Sequence, residues 1–224
     1  MSYKEKSIVK DGFTAKFSQD IDPFSPDEFT DMDAFVMGWH RDFSPRLSKD
    51  VIYAEDHVKD YLNDAFIDPV PKKHLKEDYG CLMKDYWIFP LNAYIHSGVI
   101  LELDEQRKGF VDRKWDVSNW LGAVLVSKKT FRIREKALKF ASCRVDEWNQ
   151  YMNGDVWCIE IEKDGEIIDS CGGFYGLEYA EEEAKRMLDY EVTKHKKQRE
   201  AKLKTLVSNR VPLEKRAELI KRLN

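Results

Sequence analysis

Complete catalytic signatures are missing from this sequence of 224 residues. It has no phosphate-binding loop, no dinucleotide-binding glycine motif, no HExxH and no GxSxG. The nearest approach is GGFYG at 172–176, which lacks the Lys-Ser/Thr pair of a phosphate loop and the spacing of a dinucleotide motif. A tight turn between a strand and a helix is its simpler interpretation. The sequence therefore names no reaction directly.

Long apolar runs and clustered cysteines are also missing. No run approaches the roughly 20 apolar residues that span a membrane, and the first residues form no apolar signal-peptide core. The four cysteines have no CxxC spacing, which argues against a zinc site and favours reduced thiols. We expect a cytoplasmic protein of a bacterial host, with no membrane contact, metal or cofactor.

Charge is abundant but unevenly distributed. Residues 178–224 hold 13 Lys and Arg against 9 Asp and Glu, whereas the preceding 177 residues hold 24 against 32. An acidic body thus precedes a mildly basic tail. The cations of the tail offer direct contacts to nucleic-acid phosphates, but no aromatic residues for base stacking lie among them, and a solvated helix face is the simpler interpretation. These cations are Lys194, Lys196, Lys197, Arg199, Lys202 and Lys204.

The densest pattern begins at residue 119. NWLGAVLVSKK (119–129) is continuously apolar at its centre, which predicts a central strand. Apolar residues from Phe131 to Met152 recur mostly at three- and four-residue steps, which predicts a helix over 130–152. Ser127 or Thr130 is the expected cap of this helix, and Asn153-Gly154 its end.

Residues 155–171 alternate around Asp164-Gly165, a strong hairpin signal. A two-residue turn pairs Cys158 with Cys171 and Glu160 with Asp169, whereas a three-residue turn with a bulge at Gly165 shifts these partners. We favour the two-residue turn because it places four apolar side chains on one face. Glu160 with Asp169 would then suit a metal, although a solvated acidic face is the simpler interpretation.

Together these elements predict an α+β fold. We expect one mainly antiparallel sheet that contains 119–127 and the hairpin, with helix 130–152 packed on one face. For the earlier chain we predict a hairpin over 7–17, a buried strand over 34–40, a helix over 57–67, a surface loop over 69–80, and two strands over 86–103 broken near Pro90 or Ser97-Gly98.

The tail predicts a separate helical region. We expect a globular domain over 1–177 and a helical hairpin over 178–224, whose second helix begins at Pro212. The first apolar stripe of this tail fades midway. We therefore expect the hairpin either to fold onto the body or to pair with a second copy as a homodimer, and to be dispensable for folding of the body.

An enzymatic interpretation rests on few residues. His96 lies beside Ser97 and a glycine, but adjacent strand residues point to opposite faces, so a direct Ser–His couple needs a bend there. Asp116 and Asp155 are the other candidates, which gives a small hydrolase or metal-dependent enzyme as the alternative function. Clustering of the three in one pocket would favour it.

Five motifs between about residues 20 and 177 resemble those of a family without an assigned activity, associated with bacteriophages, prophages and other mobile elements. They are DPFSPDEFTDMDAFVMGWHR, YIHSG, WDVSNWLGAVLVSKK, YMNGDVW and IIDSCGGFYG. That family has a shorter connection after Trp115-Asp116 and a bulky residue where Gly172 or Gly173 stands, and its pattern does not include the tail. The resemblance implies a genomic context and no mechanism.

The favoured functional hypothesis follows from this context. We expect a phage-encoded accessory protein, for host takeover or counter-defence, that binds a host protein stoichiometrically and inhibits it. The acidic body would speed encounter with a basic partner surface, such as that of a nucleic-acid-handling immunity component. The surplus of aromatic residues, at 12% of the chain, suits such an interface.

Overall fold

The strands predicted from the hydrophobic pattern belong to two separate antiparallel sheets. The computed structural model describes residues 6–29, 33–40, 43, 53, 55–95, 98–106, 117–208, 212, 215, 216 and 218. The chain divides into a central unit, Asp22–Asp155, and a terminal unit, Met1–Ile21 with Val156–Asn224. Each unit contains one four-stranded sheet. The predicted α+β class is therefore confirmed, but the expectation of a single sheet is wrong.

The sheet of the central unit has the strand order β3-β6-β4-β5. Its strands are β3 (Ala34–Gly38), β4 (Tyr86–Ile95), β5 (Val99–Leu103) and β6 (Val117–Ser127). Helix α3 (Arg134–Met152) covers one face, and α1 (Glu55–Leu62) with α2 (Lys72–Asp85) covers the other. Because β6 is covered on both faces, its residues from Leu121 to Val126 are all buried.

One prediction for the central unit is confirmed and two need correction. The two strands predicted over 86–103 are present: β4 ends at Ile95 and β5 begins at Val99, so they separate near Ser97-Gly98, one of the two expected positions, and β4 continues through Pro90. Residues 69–80 are not a loop: α2 begins at Lys72, and only Tyr79 and Leu82 of it are buried, so its apolar stripe is weak.

The second correction concerns the start of α3. Ile133 is the N-cap residue, and no side chain caps the helix. Ser127 Oγ instead accepts a hydrogen bond from the Lys129 amide at 3.3 Å, and Thr130 Oγ1 donates to Asp33. Both hydroxyls thus order the turn that follows β6. The predicted apolar face is otherwise right, since Ala141, Val145 and Trp148 are buried.

The sheet of the terminal unit has the order β1-β2-β7-β8. Its strands are β1 (Ser7–Lys10), β2 (Phe13–Gln19), β7 (Val156–Lys163) and β8 (Glu166–Tyr175). One face packs against α4 (Leu177–Ser208). The buried side chains of this layer are Phe13, Ala15, Phe17, Ile159 and Ile161 from the sheet, and Ala180, Ala184, Leu188 and Val192 from the helix.

The tail is therefore divided differently from the predicted domains 1–177 and 178–224. The first half of α4, 177–191, belongs to the core of the terminal unit, because its stripe covers the sheet. Most of the predicted second helix lies outside the described residues. At its start the carbonyl of Pro212 accepts hydrogen bonds from the amides of Lys215 and Arg216, as expected for a helix that begins there.

The β7–β8 hairpin has the predicted two-residue turn but not the predicted register. Lys163 lies opposite Glu166, and Asp164 and Gly165 have φ of 53° and 85°. The register then shifts, so that Glu162 faces Ile167 while Ile161 faces Asp169. Cys171 consequently lies opposite Ile159, and its predicted pairing with Cys158 is wrong. All four cysteines are free thiols.

Within the described ranges, no helix combines the length and the apolar character that crossing a bilayer requires.

Candidate functional site

Helix α4 is longer than the sheet it covers. Its 32 residues extend about 48 Å, whereas the 8 residues of β7 extend about 26 Å. The last buried residue of its stripe is Val192, and beyond it only His195 and Leu203 are partly shielded up to residue 205. The second half of α4, 192–208, therefore runs past the ends of the hairpins.

The two halves of α4 carry opposite charge. The first half, 177–191, has six acidic and two basic residues, whereas the second half has six basic residues and one acidic residue, Glu200. The helix macrodipole favours this order of charge, but its effect falls off within the first and last turns. A basic run of eleven residues, 194–204, is longer than that effect explains.

A cavity lies where the second half of α4 passes the tips of both hairpins. Its volume is about 690 Å³. Both tips are Asp-Gly turns whose two central residues have positive φ, at Asp11-Gly12 and Asp164-Gly165. We call this cavity the hairpin-tip cleft. It is lined by Asp11, Phe13, Lys163, Asp164, Val192, His195, Lys196, Gln198, Arg199 and Lys202.

Lys163 is held in the cleft by neutral groups. Its Nζ lies 3.0 Å from Nδ1 of His195 and 5.0 Å from the centre of the Phe13 ring. The Phe13 and His195 rings contact each other edge to face at 5.1 Å. Since Nζ donates, Nδ1 must accept, which places the imidazole proton on Nε2. The charge of Lys163 is thereby positioned without being neutralised by these contacts.

Three of the six predicted binding cations line the cleft. Lys196, Arg199 and Lys202 follow at three-residue steps on one side of α4, and Lys196 Nζ lies 3.2 Å from Asp11 Oδ2. Lys194 does not line the cleft and instead pairs with the buried Glu191 at 2.7 Å. Lys197 and Lys204 are exposed on α4 and do not line the cleft either.

Lys163 and His195 are the site residues that the sequence did not reveal. His195 stands inside the basic run, and Lys163 immediately precedes the Asp164-Gly165 turn. A signal was present in the helical spacing, because His195, Arg199 and Lys202 share one side of α4 with Val192. Connecting that side to a hairpin tip, however, requires the packing of α4 on the sheet.

A second surface of the terminal unit surrounds β8. Among the strands that the structure describes, it pairs with β7 alone, and its first seven residues are exposed. Ile167 and Ile168 of this strand are 56% and 37% exposed, and Ile167, opposite Glu162, points to the face of the sheet away from α4. On α4, Tyr179 and Tyr190 are exposed and stand three helical turns apart on one side, and Tyr179 contacts Phe174 of β8 with ring centres 6.1 Å apart. We call these five residues the β8 flank.

The β8 flank is acidic. Glu166 and Asp169 lie on either side of its two isoleucines in the sequence. The hydrogen bond that Lys194 donates to Glu191 raises the pKa of Lys194, and Asp169 of β8 adds to this shift. Asp169 thus acts on the side of α4 that faces this edge of the sheet.

The alternative catalytic residues do not form a described site. His96 and Asp116 lie outside the described residues. Asp155 is half-buried at the end of the central unit, and its amide donates to the Gln150 carbonyl at 2.8 Å. Over the described part of the chain, no group of three or more His, Cys, Asp or Glu side chains is arranged to hold a metal ion.

The register of the hairpin also separates Glu160 from Asp169. Asp169 lies opposite Ile161, whose side chain faces α4, whereas Glu160 lies opposite Ser170 and points to the other face of the sheet. The metal interpretation of these two carboxylates is therefore not supported.

Cys158 lacks the surroundings of a reactive thiol. Burial raises its pKa, and the carboxylate of Asp20 raises it further. A Cβ at Gly172 would lie 2.9 Å from Cys158 Sγ, so the thiol packs directly against the backbone of Gly172. Its surroundings make Cys158 a packing residue of the sheet.

Comparison with protein-family models, with curated proteins and with solved structures finds no match to this chain.

Proposed function

We propose that this protein is a mobile-element accessory protein that acts by binding a host protein stoichiometrically and inhibiting it. The observation that carries the proposal is the β8 flank, where a ten-residue edge strand and two exposed tyrosines lie together on the terminal unit. The genomic context comes from the motif resemblance alone.

The β8 flank has the features of a protein-binding surface. An edge strand presents unpaired N–H and C=O groups, to which an extended segment of a partner adds as a further strand. Tyrosines offer large contact areas with little loss of conformational entropy, and a few such side chains carry most of the energy of an interface. Tyr179 and Tyr190 stand on a helix that is fixed by its buried stripe.

The charge of the flank indicates the partner. Glu166 and Asp169 favour a basic surface through electrostatic complementarity. A basic surface is typical of proteins that handle nucleic acids. We therefore propose a host immunity component with a nucleic-acid groove as the target, which the β8 flank would occupy.

The test is a pull-down from host lysate with the tagged full-length protein and two variants. Ile167→Lys places a cation in the β8 flank and should abolish capture of the partner. Val9→Lys is the matched control, because Val9 is 69% exposed on β1, the opposite edge strand of the same sheet. Capture that is equally weak or equally strong with both variants would contradict the proposal.

Stoichiometry separates this function from the enzymatic alternative. Inhibition of the captured partner should be complete at one equivalent of protein and should weaken with salt. The variants His96→Ala, Asp116→Ala and Asp155→Ala should inhibit as well as the unmodified protein. Multiple turnovers at substoichiometric protein, lost in one of these variants, would establish the hydrolase or metal-dependent enzyme instead.

A further inference from the structure

We infer that the hairpin-tip cleft and the adjoining second half of α4 form a binding site for the phosphate backbone of single-stranded nucleic acid. This site is separate from the β8 flank and goes beyond the proposed function. Its basis is the set of cations that the fold brings together from a hairpin tip and a helix.

The charge balance of the cleft favours an anion. Four permanent cations line it, Lys163, Lys196, Arg199 and Lys202, against the two carboxylates Asp11 and Asp164. Asp11 pairs with Lys196, but among the described residues no carboxylate forms an ion pair with Lys163 or Lys202. These two cations therefore have charge available for a ligand.

The arrangement favours an extended anion over a single one. Lys196, Arg199 and Lys202 span about 9 Å along α4 at 1.5 Å per residue, and Lys204 continues the basic run beyond the cleft. Lys163 adds a cation from the hairpin side. A linear row of cations beside a cavity matches a polymer with a charge on every unit, such as a nucleic-acid strand.

The chemistry predicts contact with the backbone and not with the bases. Phe13 is only 3% exposed, so its ring is covered and unavailable for base stacking. Binding should therefore show little preference for base sequence, and homopolymers of thymidylate and adenylate should bind within about threefold of each other. Four phosphate contacts predict a slope of about −3 for the logarithm of the association constant against the logarithm of salt concentration.

The experiment measures binding of the full-length protein to a labelled oligothymidylate of about 20 nucleotides by fluorescence anisotropy at several salt concentrations. Lys202→Gln and Lys163→Gln should each weaken binding about tenfold at low salt and reduce the slope by about one. Glutamine at 163 keeps a donor for His195. Lys185→Gln is the matched control, since Lys185 is exposed on the acidic half of the same helix.

Removal of a carboxylate gives a test of opposite sign. Asp164→Asn keeps a residue that tolerates the positive φ of this turn position, and it should strengthen binding because it removes a negative charge from the cleft. A variant that had only damaged the fold would not bind more tightly. Tyr179→Ala, which alters the β8 flank without changing any charge, should leave the affinity unchanged, so that failure of this inference is distinguishable from failure of the proposed function.

Three results would overturn the inference. One is unchanged affinity in both Lys163→Gln and Lys202→Gln. Another is an equal loss in Lys185→Gln, which would show attraction to the protein's general charge and no defined site. The third is displacement of the oligonucleotide by oligoglutamate of equal charge at the same concentration as by unlabelled oligothymidylate, which would identify an acidic peptide as the ligand.

Discussion

The two units combine the same parts in different proportions. In each, one long helix packs on a four-stranded antiparallel sheet. Helix α3 has 19 residues and packs on its sheet as far as Met152, its last residue, whereas α4 has 32 residues and, among its side chains described up to residue 205, the last buried one is Val192. Between residues 193 and 205, the surplus length of α4 adds no buried residue. The binding site inferred above would make use of this length.

Charge distinguishes the two helices in the same way. Helix α3 mixes four basic and three acidic residues along its length. Helix α4 separates them, with acidic residues over the sheet and basic residues beyond it. Mixed charge is sufficient for a solvated helix face, but separated charge creates two local fields of opposite sign. The lesson is that one continuous helix gives the terminal unit two chemically different surfaces.

Truncation of α4 should have the largest effect on the stability of the terminal unit. A protein ending at residue 177 loses the buried side chains of α4 and exposes the apolar face of its sheet, which should cost more than about 5 kcal/mol and unfold the terminal unit. A protein ending at residue 195 keeps the buried stripe and should stay folded. Hydrogen exchange of the β7 amides reports whether the terminal unit is folded in each of the two truncated proteins.

This expectation reverses the one drawn from the sequence, in which the tail was dispensable for folding. The amides of β6 in the central unit provide the internal control. Slow exchange of β7 in the protein ending at residue 177 would show that the sheet does not depend on α4.

Substitution of single leucines compares how much the two halves of α4 contribute to stability. Leu188 is fully buried in the core of the terminal unit, whereas Leu203 lies beyond the sheet and is partly exposed. Leu188→Ala should lower the free energy of unfolding by about 2–5 kcal/mol, and Leu203→Ala by less than about 1 kcal/mol. Urea unfolding followed by circular dichroism measures the two. Equal losses would mean that the second half of α4 is also packed.

Two glycines of the central unit allow a matched comparison of close packing. A Cβ at Gly122 of β6 would lie 2.1 Å from the Met37 carbonyl oxygen of β3, so Gly122→Ala should cost about 1–3 kcal/mol or more. Gly80 is the matched control, because a Cβ there meets no atom within 4 Å and alanine favours the helix by up to about 1 kcal/mol. Thermal unfolding compares the two variants, and a tolerated Gly122→Ala would place β3 farther from β6.

Local patterns predicted much of this fold. Positive φ at both Asp-Gly turns, the apolar face of α3 and the buried strands at 34–38 and 119–127 depend on neighbours in sequence, which the pattern contains. The assignment of strands to sheets does not. Alternation shows which face of β7 is buried but not that its partner is β2, and Phe17 lies opposite Ile159 across 142 residues of sequence.

The candidate site was predictable to the same degree. The basic run of α4 is visible in the sequence, and three of its cations line the cleft. Lys163 joins them only because α4 packs across the hairpin, which is a long-range contact. The bulge in β8 was invisible for a related reason, since Ile167 and Ile168 suit either register and only the complete sheet selects one.

The smallest expected difference between the two units is in how the stability of each depends on pH. Asp27 belongs to the central unit, where burial raises its pKa to about 6 against the opposing pull of Arg144. Since its ordinary value is 3.8, the folded form binds the proton more tightly, and this stabilisation is complete below about pH 4 and is lost as pH rises through about 6.

The variant Asp27→Asn should remove this pH dependence of stability and should be more stable than the unmodified protein at pH 7. Because Asp27 is partly exposed, we expect a difference of about 1 kcal/mol rather than the full equivalent of the shift. Glu147, whose pKa burial also raises, should retain a smaller slope of the same sign in the variant. Urea unfolding at pH 4 to 7, followed by tryptophan fluorescence, measures the central unit, which holds five of the six tryptophans. A variant less stable than the unmodified protein at pH 7 would show that the Asp27 carboxylate is stabilised by Arg144 more than it is destabilised by burial.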